Sequence, residues 1–106
     1  DMLSLSAHKF HGPKGIGMLY AKKGINLYTL IEGGAQERGK RAGTENVPAI
    51  MGMAAAFKEA NENIDKNFGY VKSLRDKLAQ GLSKIPHSKI NGDISKGLAG
   101  TLNMCF

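Results

Sequence analysis

The sequence predicts a fold of mixed helices and strands, either α/β or α+β, and three observations carry that prediction. Glycine supplies 14 of the 106 residues, about twice its average share of roughly 7%, and most of these glycines come before residue 44. Short apolar runs lie between them, as is typical of strands joined by turns. After residue 44 the apolar residues recur at helical spacing.

The first part of the chain is predicted to form strands. Leu3–Ser6 alternates apolar and polar residues, which is typical of a short strand. Ile16–Ala21 is apolar and predicts a buried strand, and Leu27–Ile31 predicts a third. A turn with two glycines and a proline at 12–15 separates the first two strands. A polar loop, Gly33–Gly43, follows the third.

Two helices and two further strands are predicted in the second part. The predicted helix-start residues are Thr44, Glu45 and Asn46, and Pro48 suits the first helical turn. A break or kink is expected within Asn67–Gly69. Beyond the break, a second helix ends before Pro86. Its apolar residues form a stripe that is expected to pack as core: Val71, Leu74, Leu78, Leu82 and Ile85. Residues 89–91 and 101–106 have the composition of strands.

Composition and charge exclude several classes of protein. The chain is 42% hydrophobic and 23% charged, a globular rather than a disordered balance. No apolar run approaches the roughly 20 residues of a membrane span, so no membrane partner is expected. A single cysteine excludes an intrachain disulfide framework and a multi-cysteine metal site, and it favours a cytoplasmic setting. No metal ligand is assigned.

The net charge of +6 does not predict a nucleic-acid partner. The basic residues are scattered along loops and helices, and the three tyrosines and four phenylalanines are not interleaved with them. A platform for single-stranded nucleic acid needs that interleaving. We therefore expect a solvated basic surface and no bound nucleic acid.

The segment Ser6–Lys9, followed by Gly12–Gly17, is the most informative stretch. It places a hydroxyl, an imidazole and an amine within four residues, with glycines that let a ligand approach the backbone. These groups suit a phosphate, and a lysine in such a site can form a Schiff base. The residues alone leave an ordinary surface turn open as the alternative.

These two segments, together with Gly33–Asn46, closely resemble cysteine desulfurases. That family belongs to the class V aminotransferase group of fold-type I enzymes, which use pyridoxal 5'-phosphate. Three shorter segments follow in the same order as in the family: 50–56, 91–93 and 102–104. The resemblance covers nearly the whole chain, and it implies a fragment of a fold-type I transferase.

The resemblance implies a role for each matching residue. Lys9 would form the Schiff base with pyridoxal phosphate as the catalytic lysine, and Ser6 and His8 would hold the cofactor phosphate. Thr44 would reach the phosphate of the cofactor in the second subunit of a homodimer, with support from Arg41. L-cysteine would be converted to L-alanine, and the sulfur would pass as an enzyme persulfide to an acceptor or scaffold protein, for example in iron–sulfur cluster assembly.

The same resemblance implies an internal fragment. Residues 1–65 would be the end of the large cofactor domain, and residues 66–106 the start of the small domain. The nucleophilic cysteine of the family lies further downstream, so Cys105 is expected to be a buried, inert thiol. The chain opens on Asp1 rather than on methionine, and the isolated 106 residues are expected to be inactive.

Two alternatives stay open. Another class V enzyme, such as a selenocysteine lyase or an aminotransferase, shares the lysine motif, although Gly43–Asn46 favours a desulfurase. From a different class, the chain could be a non-catalytic basic binding module.

Overall fold

A computed structural model describes residues 1–106, and the chain divides there into two units, 1–61 and 62–106. Strands lie in the first and last parts of the chain and the two long helices lie between them, as the sequence predicts. In chain order they are β1 (Met2–Ser6), a 3-10 turn (Ala7–Phe10), β2 (Gly17–Ala21), α1 (Gln36–Gly39), α2 (Val47–Glu62), α3 (Ile64–Leu82), β3 (Lys89–Ile90) and β4 (Met104–Cys105). The assignment of 1–65 and 66–106 to two domains of a larger protein stays a prediction.

An antiparallel hairpin of β1 and β2 opens the first unit. Its register runs from Met2 opposite Ala21 to Ser6 opposite Gly17, so both predicted strands are confirmed. The prediction that the second strand is buried is wrong, because Leu19 is 55% exposed. The sheet has two strands only, and this unit covers neither face of β2 completely.

The predicted third strand, Leu27–Ile31, is absent. This stretch is irregular, and its polar groups bond to the loop that follows. Thr29 Oγ1 donates to the carbonyl of Gly39 over 2.9 Å, and the amide of Ala42 donates to the carbonyl of Ile31 over 3.3 Å. The segment is therefore folded against its own loop and does not extend the sheet.

Helix α2 begins at Val47, directly after the predicted helix-start residues 44–46, and Pro48 lies in its first turn. Asn46 caps it, since its Oδ1 accepts a hydrogen bond from the amide of Ala49 over 3.2 Å. The sequence predicts Met51 and Met53 as core residues rather than functional ones. Met53 is buried, whereas Met51 is 66% exposed.

Helix α3 dominates the second unit. It begins at Ile64 and runs without interruption through the break predicted within Asn67–Gly69. Its apolar stripe is exposed, with Leu74 at 48% and Leu78 at 54%. The prediction that the stripe packs as core is therefore wrong for this chain, because β3 and β4 form only a two-stranded sheet of two residues each.

The one buried charged residue, Arg75, ties α3 to the loop before β4. Its Nε and Nη2 donate to Oδ1 of Asp76 over 3.0 and 2.8 Å, and its Nη1 donates to the carbonyl of Leu98 over 3.2 Å. Hydrogen bonds from Lys72 and then from Arg75 hold the pKa of Asp76 below its usual value. A buried guanidinium needs such partners, so this network fixes the loop on the helix.

No helix has both the length and the apolar character needed to cross a membrane. No group of three or more histidine, cysteine, aspartate or glutamate side chains is placed to hold a metal ion.

We expect Gly17→Ala to lower the free energy of unfolding of the full-length gene product by about 1–3 kcal/mol, as overpacking does. A Cβ atom at this position would lie 2.6 Å from the carbonyl oxygen of Leu5, so the hairpin must move. Urea denaturation measures the effect.

The matched control is Gly69→Ala in α3, where nothing lies within 4 Å of the added carbon. It should raise the stability by about 0.5–1 kcal/mol, because alanine is the better helix former. Equal effects of the two substitutions would contradict the close approach of Gly17 to β1.

Candidate functional site

The candidate site is a single 3-10 turn that directly follows β1. Its first residue, Ala7, is completely buried. The amide of Ala7 donates to the carbonyl of Ile16 over 3.0 Å, and the carbonyl of Ala7 accepts from the amide of Gly12 over 2.8 Å. Both ends of the following loop are thereby tied to one residue.

Glycine makes this closure feasible. A Cβ atom at Gly12 would lie 2.9 Å from Cβ of Ala7 and 3.0 Å from its carbonyl oxygen, which is closer than real side chains approach. His11 turns the chain just before it, with a left-handed φ of 69°, and its backbone amide also donates to the carbonyl of Ala7. His11 is thus an exposed residue with a structural part in the turn.

The turn presents Ser6, His8 and Lys9 together. All three are exposed. Ser6 occupies the N-cap position with an extended backbone, φ −115° and ψ 123°, yet its hydroxyl makes no capping hydrogen bond. None of the three side chains has a hydrogen bond or ion pair with the rest of the chain. A hydroxyl, an imidazole and a primary amine are therefore all available to one ligand.

Helix α2 supports this turn from behind. Phe10, the last residue of the turn, meets Phe57 edge to face, with ring centroids 5.7 Å apart and an interplanar angle of 76°. Further along the loop, Pro13 packs closely on Gly52 of the helix. A Cβ atom added at Gly52 would lie 2.7 Å from Cγ of Pro13. The fold thus fixes the backbone that carries Lys9.

Thr44 lies elsewhere, in the segment between α1 and α2. It is exposed, and no hydrogen bond joins it to the turn that carries Lys9. It lies two residues before Asn46, which caps the helix, so Thr44 precedes the helix N-terminus and does not itself cap it. Any contact of Thr44 with an anion must therefore come from the loop.

The loop before Thr44 is held by two side chains. Gln36 Oε1 accepts a hydrogen bond from the amide of Gly43 over 3.1 Å, so this side chain shapes the loop. Arg41 Nη1 donates to the carbonyl of Ala42 over 2.6 Å. Sequence reasoning missed this second contact and the burial of Ala7, because no spacing rule relates either to its partners.

Cys105 differs from its prediction. Its thiol is exposed and not buried, because β4 is an edge strand whose only partner is β3. The Sγ lies 3.6 Å from the carbonyl oxygen of Lys89, as a weak donor across the ladder.

The donor set on the turn fits a phosphorylated aldehyde such as pyridoxal phosphate. A hydroxyl and an imidazole can donate to phosphate oxygens. A primary amine can bond covalently to a carbonyl carbon. Gly12 has no side chain where it approaches Ala7. The side chains of Ser6, His8 and Lys9 are exposed, so a ligand can reach all three.

Known proteins resemble this chain over its full length. A cysteine desulfurase of Gluconacetobacter diazotrophicus is 51% identical over 107 residues, which is 100% of this chain and 27% of that protein. Cysteine desulfurase IscS of Methanosarcina thermophila is 48% identical over 106 residues, which is 100% of this chain and 26% of that protein. The chain thus spans about a quarter of the curated relatives that it matches.

Solved structures share its fold. A NifS-like protein superposes with a TM-score of 0.91 at 44% identity, covering 98% of this chain and 28% of that one. DndA from Streptomyces lividans superposes with a TM-score of 0.88 at 34% identity, covering 98% and 31%. Both likenesses bear out the α/β prediction.

The family model described as Aminotransferase class-V matches residues 1–106. The resemblance of Ser6–Lys9 (the lysine turn) and of Gly33–Asn46 (the glycine-rich loop) predicts this membership. The chain therefore belongs to the class-V aminotransferase family.

Proposed function

We propose that the full-length gene product is a pyridoxal-phosphate-dependent cysteine desulfurase, and that this chain supplies its cofactor lysine and its phosphate contacts. The observation that carries the proposal is the turn around buried Ala7, which presents Ser6, His8 and Lys9 free of internal partners. The class V and cysteine desulfurase families use this cofactor generally, which supports the same assignment.

Each residue of the turn has a distinct part in this proposal. When bound, pyridoxal phosphate supplies an electron sink for bond breaking at the amino acid substrate. Lys9 holds the cofactor through its Nζ, and the same amine is placed to accept or return a proton. Ser6 and His8 donate hydrogen bonds to the phosphate and fix its position. Burial of Ala7 keeps these groups at constant spacing.

Thr44 completes the phosphate site from a second subunit. Its hydroxyl is exposed and bonded to nothing in its own chain, so it is available to a neighbouring molecule. We infer a homodimer in which Thr44 of one subunit donates to the phosphate held by the other. Arg41 lies close to Thr44 in the same loop and adds positive charge there.

The substrate in this proposal is L-cysteine, and the products are L-alanine and a persulfide. An enzyme thiol forms an S–S bond with the substrate sulfur as the C–S bond of L-cysteine breaks, which leaves a persulfide. The proton that this thiol loses balances the hydrogen that the methyl group of L-alanine gains. The sulfur then passes to an acceptor or scaffold protein. Iron–sulfur cluster assembly is the process we favour, in the cytoplasm. Cys105 is not assigned as this thiol, because its Sγ lies along an edge strand in the second unit.

Residues 1–65 belong, in this proposal, to the large cofactor domain and residues 66–106 to the small one. A selenocysteine lyase or an aminotransferase is less favoured, since the relatives reported above carry the name cysteine desulfurase or resemble NifS. A basic binding module is not favoured either.

We expect borohydride reduction of the full-length gene product with pyridoxal phosphate to leave a pyridoxyl group on Lys9 alone. The amine of Lys9 is exposed and unpaired beside two phosphate donors, so it reacts where other lysines do not. Peptide mass spectrometry locates the adduct.

Lys9→Arg should abolish the adduct. Lys14→Arg is the matched control, since Lys14 is exposed in the same loop, and this variant should keep the full yield. An adduct on Lys14, or an unchanged yield in Lys9→Arg, would refute the assignment of Lys9.

We also expect the full-length gene product to release alanine from L-cysteine, with the rate lowered about 100-fold or more in Lys9→Arg, as for the loss of an acid–base group. Amino acid analysis of the supernatant measures the product, and L-selenocysteine and a 2-oxo acid acceptor serve as competing substrates. Turnover of either competitor with no alanine from L-cysteine would favour another class V enzyme. The isolated 106 residues should show no turnover.

A further inference from the structure

Two side chains form hydrogen bonds with one peptide group, Ala42–Gly43, which lies one residue before Thr44. The carbonyl of Ala42 accepts from Arg41 Nη1 over 2.6 Å, and the amide of Gly43 donates to Gln36 Oε1 over 3.1 Å. These are the two polar ends of the same peptide group, Ala42–Gly43. Both of its hydrogen-bonding groups are therefore satisfied by side chains and not by a strand or helix partner.

The residues around this peptide group are equally constrained. Ala42 is buried, at 6% exposure, and its amide donates to the carbonyl of Ile31 over 3.3 Å. A Cβ atom at Gly33 would lie 2.9 Å from that of Ala42. Gly43 has a φ of +112°, a conformation that only glycine adopts readily. The peptide group is thus fixed on both sides before the chain reaches Thr44.

Gln36 is itself held in place. A Cβ atom at Gly34 would lie 2.5 Å from Gln36 Oε1 and 3.0 Å from its Nε2, so the amide group packs directly on the glycine backbone. Its own segment, α1, contains Glu37 and Arg38 in the left-handed region, at φ 48° and 59°. Such backbone is costly for residues with side chains and is found where the surroundings demand it.

Thr44 has no support of its own. Its side chain is exposed and makes no hydrogen bond within the chain, and helix α2 starts only at Val47. The direction of its hydroxyl therefore depends on the backbone that leads into it. That backbone starts from the amide of Gly43, whose peptide group with Ala42 is held by Gln36 and Arg41.

We propose that Gln36 and Arg41 are positioning residues that act on the cofactor phosphate through Thr44, by clamping the Ala42–Gly43 peptide group. This inference rests on the proposed function, since it takes Thr44 as a phosphate ligand of the second subunit. Gln36 carries no charge, so its effect on phosphate binding passes through geometry alone. Arg41 contributes the second hydrogen bond of the clamp besides its charge.

The test is a double-mutant cycle on the full-length gene product, with pyridoxal phosphate as the ligand. Gln36→Met keeps the length of the side chain and removes the acceptor. We expect it to raise the dissociation constant of pyridoxal phosphate for the apoprotein about fivefold, the equivalent of one ordinary hydrogen bond. In a Thr44→Val background the same substitution should change the dissociation constant by less than about twofold, because coupled residues are not additive.

Gln80→Met is the matched control. Gln80 is an exposed residue of α3, and its replacement should leave the dissociation constant unchanged in both backgrounds. The melting temperature of each apoprotein is recorded alongside. If Gln36→Met does not fold, Arg41→Met takes its place in the cycle, because the direct effect of the lost charge is common to both backgrounds and cancels.

The outcomes separate the clamp from the function on which it rests. A loss in Gln36→Met that disappears in the Thr44→Val background supports the clamp. An unchanged affinity in Gln36→Met, or an equal loss in both backgrounds, overturns the clamp while leaving the desulfurase assignment intact. If Thr44→Val alone does not weaken binding, the assignment of Thr44 as a phosphate ligand fails, and the clamp fails with it.

Discussion

The burial of Ala7 is the constraint on which the rest of the candidate site depends. Its amide and carbonyl hold the two ends of a loop, at Ile16 and Gly12, and its side chain leaves no room for anything larger beside Gly12. A residue at 0% exposure between two exposed residues cannot rotate outward without opening that loop. The neighbouring Ser6, His8 and Lys9 are thereby kept at the surface.

In two loops of the first unit, the backbone that carries the candidate ligand-binding side chains is held in place by other residues. In the lysine turn, the backbone closes on Ala7 and α2 supports it through the contact of Phe10 with Phe57. In the glycine-rich loop, Gln36 and Arg41 form hydrogen bonds with the Ala42–Gly43 peptide group, one residue before Thr44. In both loops the residues assigned to the ligand make no contact of their own, so their geometry is set by residues that touch no ligand.

Local chemistry could be predicted from the sequence more readily than packing. The hairpin, the lysine turn and the presence of two helices follow from alternation, turn residues and helical spacing. The junction of the helices lies at residue 63 and not within Asn67–Gly69, where the glycine predicts it. The stripe of Leu74 and Leu78 was expected to pack as core and is exposed, because periodicity says which residues share a face and not what covers that face. The exposure of Cys105 differs from its prediction for the same reason. The residues before α2 include two good caps, Thr44 and Asn46, and only the structure shows that Asn46 binds the amide of Ala49.

Buried Ala7 holds together the turn that carries Ser6, His8 and Lys9, and the proposed binding of pyridoxal phosphate should therefore be weakened in Ala7→Val, as an equilibrium titration of the full-length gene product measures. The two added methyl groups meet Gly12, so we predict a dissociation constant raised about tenfold or more, as overpacking of about 1–3 kcal/mol implies. Ala55→Val, at an exposed position of α2, should bind as the wild type does. Binding of wild-type strength by Ala7→Val would contradict the account.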